Sequence, residues 1–182
     1  MITRIFYLAL CGLFFAGIVH IVVILLIPVL GSKDAARQIV NSGDTLKFER
    51  LSGDARIRIA DADPFFETSI CRFDLSRNGV FIEGPKIPTF WSASVFDEDG
   101  RIVYSLSNRS AIGNVLKIVV VNAIQMADIR ELQPEEIETS ILVESGAEKG
   151  FLILRALVRD SSYQPDAVTF LESATCRPYV TR

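Results

Sequence analysis

"TFWSASVFDEDGRIVYSLS", residues 89–107, sets the fold class. Two runs rich in β-branched and aromatic residues flank Glu98-Asp99-Gly100, which reads as strand, tight turn and strand. The flanking segments follow the same pattern. "TSICRFDL" (68–75) alternates, with Cys71, Phe73 and Leu75 on one face and Arg72 and Asp74 on the other. "RNG" (77–79) carries the Asn-Gly of a two-residue turn and leads into "VFIEG", which predicts a further hairpin. "VLKIVVVNAI" (115–124) is nearly continuous apolar sequence and predicts a central strand. "SILVES" (140–145) and "FLILRALV" (151–158) predict a third hairpin around Gly146 and Gly150, and "ARIRIA" (55–60) a half-exposed strand.

Helical patterns are few. "QPEEIET" (133–139) and "PDAVTFLESA" (165–174) place Pro134 and Pro165 in favoured first-turn positions. Roughly seven or eight short strands with two or three short helices predict a mainly β, antiparallel sandwich-like domain over residues 46–182.

The N-terminus is of another kind. From Ile5 to Leu30 the only strongly polar side chain is His20, the single histidine of the chain. At about 1.5 Å per residue this run makes a helix of roughly 39 Å, against a bilayer core of about 30 Å. A secretory signal has an apolar core of about 7–15 residues and a small-residue cleavage site, and "LIPVLGSKDA" has no A-x-A pattern. Residues 1–31 therefore read as a retained transmembrane anchor. Residues 32–45 read as a juxtamembrane helix and linker, with Ser32 as N-cap and Asn41-Ser42-Gly43 as the stop. Ala9, Gly12, Ala16 and His20 share one face of the anchor, a small-xxx-small pattern suited to packing on a second membrane helix, with the polar residue turned to protein. Arg4 lies on one side of the run and Lys33 and Arg37 on the other, so charge does not decide orientation. Cys71 and Cys176 in the soluble part favour an oxidising compartment and a disulfide between them, two buried free thiols being the alternative.

Composition narrows the chemistry. The chain has 182 residues, a net charge of −3, 49% hydrophobic residues and a mean hydropathy of +0.33, without the basic excess of a nucleic-acid binder. Beyond the anchor there is no imidazole for general-base, triad or metal-ligand work. CxxC, GxxxxGK[ST] and GxGxxG patterns are absent from the sequence. No cofactor or metal is expected. "DADP" (61–64) and "DEDG" (97–100) pair carboxylates as calcium loops do, but neither continues as such a loop, so both read as turns. "NRS" (108–110) matches a glycosylation sequon by chance. Phe90, Trp91, Phe96 and Tyr104 either line an apolar cleft or belong to the core. A carboxylate-based enzyme would draw on Asp74, Asp97, Asn108 and Arg109.

The order of motifs across 63–110 resembles the domain of unknown function 1254 family (DUF 1254). That pattern runs from an Asp-Pro pair to a strand with a hydrophobic-Asp-Leu step, then a hydrophobic segment ending in Gly-Pro. An aromatic-rich strand, a turn with Asp and Gly, and Tyr-Ser leading to an Asn-Arg pair follow. This chain has "DADPFF", "CRFDLS", "FIEGP", "FWSASVFDEDG" and "IVYSLSNRS" in that order. "RAL" (155–157) and Cys176 resemble the closing part of short, membrane-anchored members. The resemblance implies a β-sandwich-like domain in a bacterial envelope protein, with no assigned activity and no catalytic residues. Larger relatives carry a second domain, of the unknown-function 1214 family, in the same polypeptide. The implied partner is a separate envelope protein with that domain. The expected function is thus a single-pass inner-membrane protein whose periplasmic β domain binds a partner and is not an enzyme. A lipid- or small-molecule-binding module and a carboxylate-based enzyme are the alternatives.

Overall fold

A computed structural model describes residues 2–51 and 63–180, with the side chains of 28–34 outside the description. The expected strand at 55–60 lies outside the described residues. Helix α1 (Ile2–Asn41) is followed by β1 (Phe48–Arg50), β2 (Phe66–Asp74), β3 (Gly79–Gly84), β4 (Trp91–Asp97), β5 (Ile102–Ser107) and β6 (Leu116–Val121). Then come α2 (Ala123–Leu132), β7 (Ile141–Glu144), β8 (Lys149–Leu157), α3 (Gln164–Ser173) and β9 (Thr175–Tyr179). Short 3-10 turns occupy Ile112–Asn114 and Glu135–Ile137.

The strands form two facing sheets, ordered β1-β2-β8-β4-β5 and β7-β6-β3-β9. All pairs are antiparallel except β6–β7, which is parallel. Between the sheets lie Cys71 and Phe73 of β2, Trp91, Ala93 and Val95 of β4, Leu152, Leu154 and Ala156 of β8, and Val80, Ile82, Leu116, Ile118 and Val120 from the second sheet, all buried. Helix α3 adds Ala167, Phe170 and Leu171 to this layer. The mainly β sandwich expected from the sequence is present.

The β4–β5 hairpin forms as read. Asp97 N–H donates to Arg101 O at 3.0 Å and Gly100 N–H to Asp97 O at 3.0 Å, with Gly100 at φ +79, the left-handed region that glycine enters without penalty. The β6 run is an inner strand, as predicted. The other two hairpins do not form. β2 and β3 belong to different sheets, and so do β7 and β8. A two-residue hairpin turn of the Asn-Gly type needs positive φ at both central residues, and neither Asn78 nor Gly79 has it. The chain crosses between sheets there because Leu75 is held elsewhere. Its N–H donates to Glu148 O at 2.7 Å, and its carbonyl accepts from Asn122 Nδ2 and Gln125 Nε2, each at 3.1 Å.

Gly150, expected near a turn, lies inside β8, facing Phe73 on one side and Asp97 on the other. A Cβ there would sit 2.7 Å from the Phe73 ring and closer still to the Phe96 carbonyl oxygen. Because backbone cannot yield as a side chain can, Gly150→Ala is expected to cost about 1–3 kcal/mol of domain stability, read from the denaturant midpoint.

Three helical readings depart from expectation. The first, 133–139, forms only a 3-10 turn at Glu135–Ile137, because α2 ends at Leu132 and Gln133 takes a left-handed φ of 44. α2 was not predicted. It starts at a capping box in which Asn122 Oδ1 accepts from Gln125 N–H and Gln125 Oε1 from Asn122 N–H, and Met126 and Ile129 cover Phe81, Val119 and Val121 on the outer face of the second sheet. The juxtamembrane helix is not a separate element, because the backbone is helical straight through Ser32. One glycine at position 31 costs a helix only about 1 kcal/mol, and the docking of Ala36, Ile39 and Val40 on the domain offsets it. The stop is where the sequence puts it: Ser42 Oγ donates back to Gln38 O, and Gly43 takes φ +95.

Candidate functional site

The four aromatics of the expected cleft do not come together. Trp91 is fully buried between the sheets, its ring centroid 6.0 Å from that of Phe170. Phe96 points to the opposite face of β4 and stacks on Phe151 at 5.1 Å. Phe90 meets Phe66 edge-on at 6.5 Å, and Tyr104, 36% exposed, sits on the edge strand β5 opposite Val95. Successive side chains of a strand point to opposite faces, so residues 91 and 96 cannot line one cleft. The core alternative holds for Trp91.

The polar residues of an enzyme site are equally dispersed. Asp74 Oδ1 accepts from Ser76 N–H at 2.9 Å, and the Ser76 side chain and backbone hold its carboxyl below the usual 3.8. Asp97 closes its own turn, with Oδ1 accepting from the N–H of Asp99 (3.0 Å) and Arg101 (2.8 Å) and Oδ2 from Arg101 Nε at 2.8 Å. Asn108 is at the far end of the same hairpin, its N–H donating to Trp91 O at 3.1 Å, with exposed Arg109 beside it. Asp63 Oδ1 likewise accepts from Phe65 N–H at 2.9 Å. Such bonds stabilise turns. Among the described residues no three His, Cys, Asp or Glu side chains gather as a metal site.

Cys71 and Cys176 do meet. They are joined as a disulfide with Cα atoms 6.6 Å apart, tying β2 of one sheet to β9 of the other inside the core. Ala9, Gly12, Ala16 and His20 all lie exposed on α1, with nothing within 4 Å of where a Gly12 Cβ would be. Their segment, Ile2–Ile27, is the one described helix long and apolar enough to cross a membrane.

The most elaborate polar arrangement lies where α1 meets the sandwich. Arg72, on the outer face of β2, is only 7% exposed. Its Nε donates to the carbonyl of Ile39 in the last turn of α1, and its Nη1 donates to Glu49 Oε2. The Arg72 hydrogen bond is the main cause holding the Glu49 carboxyl below its usual 4.5, and burial opposes it. Below these groups Ala36, Ile39 and Val40 pack with Ile70, Phe151, Ile153 and Phe96, and Arg37 reaches Asp99 at 3.4 Å. Sequence reasoning assigned Arg72 to the polar side of its strand and gave it no role. Its signal was present: a charge between two deeply apolar neighbours in "SICRF" needs a partner if buried.

No protein-family model and no curated protein matches the chain, so the resemblance to the domain of unknown function 1254 family rests on its motifs alone. Among solved structures, the VPA0106 protein from Vibrio parahaemolyticus is similar, with a TM-score of 0.59 and 10% identity, over 81% of this chain and 35% of that one. An uncharacterised protein from Burkholderia cenocepacia is similar at a TM-score of 0.47 and 14% identity, over 83% of this chain and 40% of its own length. The chain thus spans well under half of either protein. The Vibrio likeness establishes a shared fold.

Proposed function

We propose that this chain is a single-pass protein of a bacterial inner membrane whose β domain, on the periplasmic side, docks a separate envelope protein carrying a domain of the unknown-function 1214 family. The supporting observation is the pairing of a membrane-length helix with a β domain whose fold makes up 35% of the longer VPA0106 polypeptide. In that protein the same fold is joined to a longer chain, which supports reading it as a domain that packs against another. The Cys71–Cys176 bridge supports an oxidising, periplasmic side. The ligand-binding alternative has lost the cleft on which it depended, since Trp91 and Phe96 face apart.

Crosslinking in cells, followed by capture of the full chain and mass spectrometry, tests the reading. A protein with the companion domain is the expected main product. Recovery of the bait alone at high coverage would overturn it.

A further inference from the structure

We propose that Arg72 locks α1 to the β domain, so that the membrane helix and the sandwich move as one rigid body rather than as a domain on a flexible tether. The inference takes the membrane span of the proposed function as given, but does not depend on any partner.

The last turn of a helix leaves carbonyls without intrahelical donors and carries the negative end of the helix dipole. In most proteins the next few residues or water satisfy it. Here Ile39 O accepts long bonds of 3.4 Å from Ser42 N–H and Oγ, and its short donor is a guanidinium from a strand more than thirty residues away. Burial of that cation requires a counter-charge, and Glu49 supplies it from β1. Gly43 is shaped for the pair: a Cβ at this position would lie 2.7 Å from both Arg72 Nη1 and Glu49 Oε2. The chain leaving the helix is then tied to the same residue, because Leu46 N–H donates to Arg72 O at 2.8 Å and Thr45 bridges to it. The preceding residue, Cys71, is bonded through to the opposite sheet. One side chain therefore connects the helix end, the first strand and the sheet that the disulfide fixes.

The connection leaves little slack. A tether would need a stretch of irregular chain, yet the backbone is helical from Ile2 to Asn41. Between Leu30, the end of the apolar run, and Ala36, the first described residue packed on the domain, there are about 9 Å of helix. A headgroup layer is about 5–8 Å deep on each side of the bilayer. The sandwich is held just clear of the lipid, in one orientation.

The test uses the full chain in nanodiscs of phosphatidylethanolamine and phosphatidylglycerol. Hydrogen exchange is followed at residues 36–41 and at β8, and spin-label distances are measured between Tyr7→Cys and Arg109→Cys in a Cys11→Ser background. The wild-type contacts should give slow exchange at 36–41 and a narrow distance distribution. Arg72→Met should speed exchange there by roughly tenfold or more, the factor set by a charged hydrogen bond, and broaden the distances. Unchanged exchange at β8 would show that the sandwich itself remains folded. Glu49→Gln, which keeps the bond to Ile39, should have a smaller effect. A broad wild-type distribution, or an Arg72→Met variant identical to wild type with β8 intact, would overturn the proposal.

Discussion

Replacing Cys71 and Cys176 together by alanine is expected to lower the stability of the β domain by about 4–5 kcal/mol. In the chain-entropy account a bridge stabilises by restricting the unfolded chain, and a loop of about 100 residues gives roughly this value. The bridged residues are 105 apart in sequence. Alanine suits the test because both sulfurs lie in the apolar core, where a serine hydroxyl would add its own burial penalty. Domains of this size are stable by only about 5–15 kcal/mol, so the loss removes about a quarter or more of the total. Denaturant unfolding of the purified full chain measures it, with and without reductant. Reductant should bring the unbridged wild type close to the double variant. Equal midpoints for oxidised wild type and double variant would refute the expectation.

Trp91→Ala should cost about 3–5 kcal/mol, the range for deleting a large aromatic from a packed interior. The indole is fully buried against Phe170 of α3 and lies in the same layer as Ala93, Leu154 and Ala156. Trp91→Phe, which keeps a ring against Phe170, should cost clearly less. Tyr104→Ala provides the contrast. Its partly exposed ring on an edge strand predicts a change within about 0.5 kcal/mol. If both alanine variants shifted the unfolding midpoint equally, Trp91 and Tyr104 would share one environment and the core assignment would fall.

How much of this was legible depends on the range of the cause. The β4–β5 hairpin could be read because its determinants, Asp97 to Arg101, all lie in one turn and bond to one another. The stop of α1 at residues 41–43 is local in the same way. The crossings after β2 and β7 could not be read. Asn78-Gly79 has the composition of a hairpin turn, but its path is set by Glu148, Asn122 and Gln125, which converge on Leu75 from distant segments. Helix α2 could have been found, since Asn122 followed three residues later by Gln125 is a start signal. The apolar run before it drew the reading toward strand. The cleft failed on parity alone, for an odd separation along a strand puts two side chains on opposite faces. Arg72 was visible as a residue, but its partners Ile39 and Glu49 meet it only in three dimensions.

The sheet order also determines when this domain can form. Strand β8 lies between β2 and β4, and β9 completes the second sheet beside β3. At about 5–20 residues per second, roughly four to sixteen seconds of synthesis separate the end of β2 from the end of β8. During that interval β2 and β4 exist without the neighbour that pairs with both, and their unpaired edges invite the wrong strand. The long helix at the front of the chain has emerged by then. With that helix held in a bilayer, as proposed above, every unfinished copy would be confined to a surface at a density fixed by insertion. For this topology, the time spent waiting for β8 is the period of greatest exposure to neighbouring chains.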